Sequence, residues 1–334
     1  MKALGCRERF ARTFRFEPVD RLPFFEWAGY WDKTLERWLR EGLPPQENIG
    51  GYLDYFGLDR TAGIGLGPQH WPLFVGPKPH GGPVFDRDDY LALKARGAVN
   101  NRDALDLSAA DRLRARQEAG EMPVSAGIMG AFAYPRVLFG IEHHFYAFHD
   151  QPELMREMLG DAADFLAWAG ERLLERIVPD YMTIMEDMSY NHGPMLSEAM
   201  FDEFMLPFYQ KALAPMKRRG VKILVDTDGD MMSCASWFRR AGADGFLPLE
   251  RQAHVDIALL RQRDPDILLL GAFDKMTMPL GEEAMRTEFA RLAPVARRGG
   301  FVPSVDHQTP PGVSLENYRI YLRLLREFVE ENHP

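Results

Sequence analysis

Eight short and mostly apolar runs recur along the chain, and most of them are followed by a helical pattern. Near-continuous apolar runs of this length are typical of strands that are buried on both faces, as the strands of parallel sheets are. Parallel strands that alternate with helices predict an α/β fold, here a single (β/α)8 barrel of the TIM-barrel class. The predicted strands are residues 21–27, 61–67, 122–130, 181–188, 221–229, 245–250, 267–274 and 300–307.

The segments between these runs carry helical spacing and capping residues. Residues 152–177 place leucine, methionine and alanine at every third or fourth position, which predicts a long helix. Ser197 and Ser314 are the predicted N-caps of two later helices, which would reach Arg219 and Glu331.

One stretch departs from this alternation. Residues 68–121 begin with a segment rich in proline and glycine and hold a single clear helical pattern, near residues 106–119. We therefore expect an insertion after the second strand, within a chain whose residues 1–334 form one domain. The length of 334 residues fits a barrel of about 250 residues with insertions.

Composition argues against several classes of function. The chain has 49 acidic and 40 basic residues and a net charge of −9, which argues against a nucleic-acid partner or an anionic membrane surface. No apolar run approaches the roughly 20 residues that a membrane-spanning helix needs. Cys6 and Cys234 stand alone, so neither disulfides nor a cysteine-rich metal site is expected. We expect a cytoplasmic protein that acts on a small molecule.

Carboxylates and a histidine follow the predicted strands, at the ends where barrel enzymes hold their active sites. Asp226 and Asp228 follow the fifth strand, Glu250 the sixth and His307 the eighth. These four are the candidate catalytic residues, and together they could bind a divalent ion such as Zn²⁺, Mn²⁺ or Mg²⁺. The alternative is a site without metal, in which His307 and Asp306 move a proton. A single acid after a strand often caps the next helix, but capping does not explain pairs of acids.

Other polar and aromatic residues follow the first, fourth and eighth strands. Glu186 and Asp187 are expected to hold the polar end of a substrate, and Tyr30 and Trp31 to form its apolar wall. The signatures of serine hydrolases (GxSxG), zinc proteases (HExxH) and P-loop NTPases are absent from the sequence. The candidate substrate-binding residues are Glu26, Tyr30, Trp31, Glu186, Asp187, Tyr190 and Asp306.

Three segments of the sequence carry a family resemblance. They are residues 7–23 (RERFARTFRFEPVDRLP), 193–207 (GPMLSEAMFDEFMLP) and 299–317 (GGFVPSVDHQTPPGVSLEN). Together, and in this order, they resemble the uroporphyrinogen decarboxylase family, which also includes cobamide-dependent methyltransferases. The resemblance implies a (β/α)8 barrel whose site lies in the cleft at the C-terminal ends of the strands.

The sequence departs from two site patterns of that family. In the decarboxylases proper, two arginines after the first strand hold substrate carboxylates, and here Glu26 and Tyr30 occupy those positions. An acid cannot replace a guanidinium that faces an anion, so a porphyrinogen substrate is not expected. The thiol methyltransferases bind zinc through a His-x-Cys pair after the fifth strand and a Cys near the eighth. Here those positions hold Asp226, Asp228 and His307, so a thiolate zinc site is not expected either.

The remaining pattern, VDTDGD at residues 225–230 with the ending SVDH, resembles decarboxylase-like members of the family, some of which serve corrinoid-linked methyl transfer. It implies a methyltransferase that moves a methyl group between a small methoxylated or methylated substrate and a corrinoid (cobamide). The sequence lacks a DxHxxG motif, so the corrinoid is expected on a separate partner protein. Two alternatives stay open: a decarboxylase of a small non-porphyrin carboxylic acid, and a ligand-binding barrel without catalysis. Dimers are common in the family, so a homodimer is compatible with the resemblance.

Overall fold

A curled parallel sheet lies at the centre of the computed structural model, which describes residues 3–67 and 81–334. The strands within these ranges are β1 (Ala62–Gly65), β2 (Val124–Met129), β3 (Tyr181–Met185), β4 (Ser189–Tyr190), β5 (Gly193–Pro194), β6 (Lys222–Asp226), β7 (Gly245–Leu247), β8 (Leu268–Phe273) and β9 (Phe301–Val305). Seven of them form the sheet in the order β1-β2-β3-β6-β7-β8-β9, and β4 pairs with β5 in a separate antiparallel ribbon.

Helices surround this sheet. The α-helices of the described residues are α1 (Cys6–Phe14), α2 (Asp32–Arg40), α3 (Ile49–Tyr55), α4 (Arg87–Ala95), α5 (Ser108–Glu118), α6 (Ala133–Phe139), α7 (Ile141–Asp150), α8 (Pro152–Leu174), α9 (Glu198–Met200), α10 (Leu206–Ala212), α11 (Ala214–Arg218), α12 (Ala235–Arg240), α13 (Ile257–Arg263), α14 (Glu282–Ala296) and α15 (Leu315–Glu331). Short 3-10 helices cover Arg102–Ala104, Arg251–Ala253 and Lys275–Leu280. Among the residues that the structure describes, no helix combines the length and the apolar character needed to cross a bilayer.

The strand register brings the C-terminal ends of neighbouring strands to one edge of the sheet. Met185 at the end of β3 is paired with Asp226 at the end of β6, which is paired in turn with Leu247 at the end of β7. All neighbouring strands in this sheet are parallel. The residues that follow β3, β6, β7 and β9 therefore leave the sheet from the same edge.

The first of the eight predicted strands is not a strand, whereas the other seven are confirmed. Residues 21–27 lie between β9 and β1 without forming a ladder with either. Asp59 N donates to Phe24 O (2.7 Å), but on the other side Trp27 N donates to the side chain of Ser304 (3.2 Å). The proline within this segment has no N–H to donate, and a hydroxyl replaces a backbone partner on β9. The sheet is therefore open between β9 and β1.

Apolar side chains fill the interior of the curled sheet, and α1 closes its N-terminal end. Phe10 packs edge-to-face against Phe25, with ring centroids 5.3 Å apart, and Phe14 packs in the same way against Tyr181 at 5.7 Å. Phe25 therefore belongs to the interior, although its segment is not a strand. The interior cluster consists of Phe10, Phe14, Phe25, Tyr181, Leu224, Leu247, Leu268, Leu270 and Val302.

The predicted helices are confirmed in part. α8 covers most of residues 152–177, and Ser314 caps α15 by accepting from Asn317 N (3.1 Å). Ser197 also acts as an N-cap. The predicted helix from Ser197 towards Arg219 is present but irregular, since the chain forms α9, a π-helical turn, α10 and α11. Pro207 and Pro215 lie in the first turns of α10 and α11, where proline is tolerated, and each removes an N–H from a continuous helix.

The predicted insertion at 68–121 is described from residue 81 onwards, and residues 68–80 lie outside the described ranges. Helix α4 contacts α8, where the Tyr90 hydroxyl donates to an aspartate (2.9 Å). Helix α5 lies beside the N-terminal ends of the strands, since Gln117 Nε2 donates to Asp180 Oδ2 (2.7 Å) just before β3. Helix α5 therefore flanks the sheet, and α4 packs outside it on α8.

Candidate active site

Two carboxylates and one imidazole meet at the C-terminal edge of the sheet. Asp228 follows β6, Glu250 follows β7 and His307 follows β9. One ligand atom from each of these residues lies within 4.8 Å of the other two, and His307 Nε2 is 3.6 Å from Asp228 Oδ2. All three side chains are half-buried, so they remain open to solvent. We call Asp228, Glu250 and His307 the strand-end cluster.

A glycine turn holds Glu250 beside Asp228. Gly229 N donates to Glu250 Oε2 (3.0 Å), and Gly229 has a φ of +81°, in the left-handed region that favours glycine. A Cβ at this position would lie 2.6 Å from Tyr190 Cα, so a larger residue would displace the backbone. The glycine of the VDTDGD segment therefore turns the chain and also binds the Glu250 carboxylate.

The imidazole of His307 packs against Trp27. The two rings meet edge-on with centroids 6.2 Å apart, and Trp27 Nε1 donates to Val305 O (2.7 Å). Trp27 is therefore fixed to β9, two residues before His307. Asp228 raises the pKa of His307, because the carboxylate stabilises the charged imidazolium. The indole and the carboxylate together define the position and the charge of this ring.

Asp226 lies two residues before Asp228 but is not part of the strand-end cluster. Burial, and then the nearby Asp187 and Asp228, raise the pKa of Asp226 to about 8. Asp226 therefore keeps a proton at neutral pH, whereas Asp228 faces His307. The sequence predicted one ligand set of four residues. Among the described residues, the group with suitable ligand distances contains three of them.

Asp187 lies at the same edge and is held by Arg136 of α6, a residue that no motif assigned to the site. Arg136 donates from Nη1 to Asp187 O and from Nη2 to Asp187 Oδ2, both at 3.2 Å. Asp187 has a φ of +44°, which is uncommon outside glycine. Burial, and then the charge of Asp228, raise the pKa of Asp187. Sequence spacing cannot reveal this pair, because the arginine and the carboxylate follow different strands.

Asp306 is fully buried, and protein groups satisfy its carboxylate. Oδ2 accepts from Arg251 N (2.9 Å), and Oδ1 accepts from both the backbone N and Nζ of Lys275 (3.2 Å each). Burial raises the pKa of Asp306 to about 6, and Lys275 opposes that increase. The sequence predicted that Asp306 binds the substrate. In the structure its carboxylate is buried and is used by protein groups instead. Lys275 is a further residue of this edge that no motif indicated.

Glu26 and Tyr30 lie beneath α15 rather than in the cleft. The Tyr321 hydroxyl donates to Glu26 Oε1 (2.5 Å), and the Ser304 hydroxyl donates to Glu26 Oε2 (3.1 Å). The Tyr30 hydroxyl is hydrogen-bonded to that of Tyr318 (2.9 Å). Both residues were predicted to bind substrate, but α15 covers them and uses their polar atoms.

The remaining predicted substrate-binding residues divide by exposure. Glu186 is fully buried, and it accepts hydrogen bonds from the Tyr209 hydroxyl and from Phe132 N (3.1 Å). Tyr190 and Trp31 are 49% and 46% exposed. Of these three, only the two aromatic residues are accessible to a ligand.

Stability is expected to depend on pH through Glu26. Burial raises the pKa of Glu26 from 4.5 to about 7, so the folded state binds this proton more tightly than the unfolded state. Below pH 4.5 the group is protonated in both states, and this contribution is lost as pH rises towards 7. The glutamine of Glu26→Gln does not ionise. Its stability relative to the wild type should therefore rise by about 2 kcal/mol between pH 5 and pH 8, at about 1.4 kcal/mol per pKa unit. Urea unfolding at the two pH values checks this, and an unchanged difference would contradict it.

The sequence matches the family described as uroporphyrinogen decarboxylase over residues 74–328. The chain belongs to the uroporphyrinogen decarboxylase family. This finding confirms the resemblance that the segments at 7–23, 193–207 and 299–317 indicated. No curated protein matches the sequence.

Solved structures show the fold of this member of the uroporphyrinogen decarboxylase family. A methyltransferase from Methanosarcina mazei is similar over 97% of this chain and 99% of its own, with a TM-score of 0.60 and 16% sequence identity. A family 2 AP endonuclease from Brucella melitensis matches 82% of this chain and 100% of its own, with a TM-score of 0.38 and 12% identity. The first likeness shows a shared fold, and the second is too distant to support a conclusion.

Proposed function

We propose that this family member is a methyltransferase that moves a methyl group between a small methoxylated or methylated substrate and a corrinoid on a partner protein. The strand-end cluster of Asp228, Glu250 and His307 carries this proposal. Removal of a methyl group from a heteroatom requires a Lewis acid or a proton donor that stabilises the departing electron pair. The methyltransferase from Methanosarcina mazei, which shares this fold, supports the same class of reaction.

The strand-end cluster fits a divalent ion such as zinc. Zinc accepts carboxylate oxygen and imidazole nitrogen, and three protein ligands leave a fourth position for substrate. Tetrahedral zinc with bonds of about 2.1 Å has ligand atoms about 3.4 Å apart. The distance from His307 Nε2 to Asp228 Oδ2 is 3.6 Å. Asp228, Glu250 and His307 would hold the ion, which when bound supplies a Lewis acid at the heteroatom of the methyl donor.

Neighbouring residues would support demethylation. Asp226, two residues before Asp228 at the end of β6, would act as the proton donor to the departing heteroatom. Arg136 keeps Asp187 at the same edge through two hydrogen bonds. Trp27 covers one edge of the imidazole and limits the access of water, and Tyr190 would offer an exposed aromatic face to the substrate.

The proposal includes the domain organisation and the partner. Residues 1–334 would form one (β/α)8 barrel, in which residues 21–27 fill the gap between β9 and β1. Three observations support this: the hydrogen bond from Trp27 N to the Ser304 side chain on β9, the hydrogen bond from Asp59 N to Phe24 O, and the place of Phe25 in the interior cluster.

The corrinoid would come from a separate protein, because the sequence lacks the DxHxxG motif. Both proteins would act in the cytoplasm. A homodimer is compatible with this arrangement.

Methyl transfer to free cobalamin tests the proposed function. The purified protein is supplied with Zn²⁺ and incubated with cob(I)alamin and a panel of methoxylated aromatic compounds, methylated amines and methylated thiols. At least one class should give methylcobalamin faster than the protein-free control, as followed by absorbance. If every class fails and small carboxylic acids release CO₂ instead, the protein is a decarboxylase.

Uroporphyrinogen is not expected to be a substrate. Glu26 and Tyr30 stand where the decarboxylases have arginines, and the accessible edge carries Asp187, Asp228 and Glu250. Carboxylates at this edge would repel a substrate that itself bears several carboxylates. Formation of coproporphyrinogen should stay at background while an established uroporphyrinogen decarboxylase, assayed in parallel, converts the same preparation. Turnover above background would show that another group replaces the arginines.

A further inference from the structure

Lys275 is a nearly buried cation next to the strand-end cluster. It begins the 3-10 helix after β8, and its side chain is 12% exposed. Its Nζ lies 2.5 Å from Gln252 Oε1, 3.2 Å from Asp306 Oδ1 and 3.6 Å from Glu250 Oε1. The ammonium donates hydrogen bonds to Gln252 and Asp306, and it lies at ion-pair distance from Glu250. Lys275 is therefore held by protein groups on the side of Glu250.

The partners of Lys275 are themselves fixed. Gln252 Nε2 donates to Asp274 Oδ1 (2.5 Å), which turns the amide oxygen of Gln252 towards the ammonium. Asp306 is fully buried between the backbone N–H groups of Arg251 and Lys275. Movement of Lys275 would leave the Asp306 carboxylate without its only buried counter-charge among the described residues, so the ammonium is held in place.

Both oxygens of Glu250 have a polar protein group as a neighbour. Oε2 accepts from Gly229 N (3.0 Å), and Oε1 faces Lys275 Nζ (3.6 Å). A cation bound through both oxygens would lie against Oε1, the oxygen that faces the Lys275 ammonium, and the two positive charges would repel each other. Binding through one oxygen keeps the ion further from the ammonium and leaves the contact between Glu250 and Lys275 in place.

We propose that Lys275 determines which divalent ion the strand-end cluster accepts, by keeping Glu250 a ligand through one oxygen. Three ligand atoms and an open position suit Zn²⁺, which is satisfied by four ligands. Ca²⁺ takes six to eight ligands and often uses both oxygens of a carboxylate. Lys275 thus selects zinc over calcium. This inference rests on the metal site of the proposed function.

The test removes Lys275 without leaving a buried charge. In K275M/D306N the ammonium and its buried counter-charge are removed together, so the balance of buried charge is kept. The single variant D306N keeps the ammonium beside Glu250 and controls for the second substitution. K222M is the matched control. Lys222 Nζ lies 3.6 Å from an oxygen of Asp244, as Lys275 Nζ does from Glu250, but Lys222 is at the start of β6, away from the strand-end cluster.

Isothermal titration of each purified protein with Zn²⁺, Mg²⁺ and Ca²⁺, each alone, gives the affinity ratios. The wild type, D306N and K222M should bind one Zn²⁺ and show the same preference for zinc. In K275M/D306N the ratio of zinc to calcium affinity should fall by about tenfold or more, because Glu250 can then offer its second oxygen to a larger ion. Circular dichroism establishes that each variant is folded.

The other outcomes separate this inference from the proposed function. If K275M/D306N is folded and keeps the wild-type ratio, Lys275 does not select the ion, whereas the metal site itself stands. If D306N shifts the ratio as much as the double variant does, the effect belongs to Asp306 and the inference is also wrong. If the wild type binds no Zn²⁺ in a 1:1 ratio, both the inference and the metal site fail, and methyl transfer to cobalamin still tests the reaction.

Discussion

The His307→Ala variant should lose both its bound metal and its methyl transfer activity. His307 is the only nitrogen ligand of the strand-end cluster, and the two remaining carboxylates cannot complete a three-ligand zinc site. We expect metal content to fall to background, as measured by elemental analysis. The rate of methyl transfer should fall by about 100-fold or more, since even a change in the groups that orient a metal ligand costs about 10- to 100-fold.

His192→Ala is the matched control for this experiment. His192 is exposed and contacts Tyr190, and it should keep the wild-type metal content and most of the activity. His307→Ala with full metal content and full activity would contradict the assignment of the site. If the wild type holds no metal and His307→Ala still loses activity, the imidazole acts as a proton donor and the metal site is wrong.

The Arg261→Met variant should be strongly destabilised. Arg261 is 1% exposed and lies at the N-terminal side of the sheet, with its guanidinium over the Phe16 ring at 5.0 Å. It donates to Gly299 O (2.8 Å), Ile267 O (3.0 Å) and Gly300 O (3.3 Å). Methionine fills part of the volume but removes this donor from Gly299 O and Ile267 O, whereas Gly300 O still accepts from Leu269 N (2.9 Å). We expect a loss of about 3–5 kcal/mol in the free energy of unfolding, since each unsatisfied buried group costs about 1–3 kcal/mol.

Urea denaturation of Arg261→Met and of Arg263→Met checks this expectation. Arg263 lies two residues further along α13 but is exposed, so its substitution should change stability by less than about 0.5 kcal/mol. Similar midpoints for the two variants would show that water or backbone movement satisfies Gly299 O and Ile267 O in place of Arg261.

The apolar runs of the sequence predicted most of the fold because both faces of a central parallel strand are buried. β8 and β9 are buried at every position, and their runs were recognised for that reason. Residues 21–27 are also mostly apolar, yet they contain a proline and contact the Ser304 side chain instead of forming a ladder. Hydrophobicity records burial and does not record which backbone groups are paired. The irregularity of the helix after Ser197 likewise coincides with Pro207 and Pro215, and the spacing of apolar residues does not reveal it.

The candidate site was predicted less completely than the fold. The rule that parallel strands end at one edge is enough to expect Asp228, Glu250 and His307 close together. The same rule also selected Glu26, Tyr30 and other residues that proved to be buried. Strand position cannot show that α15 covers Glu26 through Tyr321, because that contact joins residues almost 300 positions apart. Lys275 and Arg136 also follow strands in the sequence, but they could not be assigned to the site, since their partners come from other strands.

The most direct test of the central claim is a crystal structure of the protein soaked in Zn²⁺, with anomalous data collected at the zinc edge. The account predicts one strong peak about 2.0–2.2 Å from a carboxylate oxygen of Asp228, an oxygen of Glu250 and Nε2 of His307. No peak at this cluster, or a well-occupied zinc bound by other residues, would contradict the account.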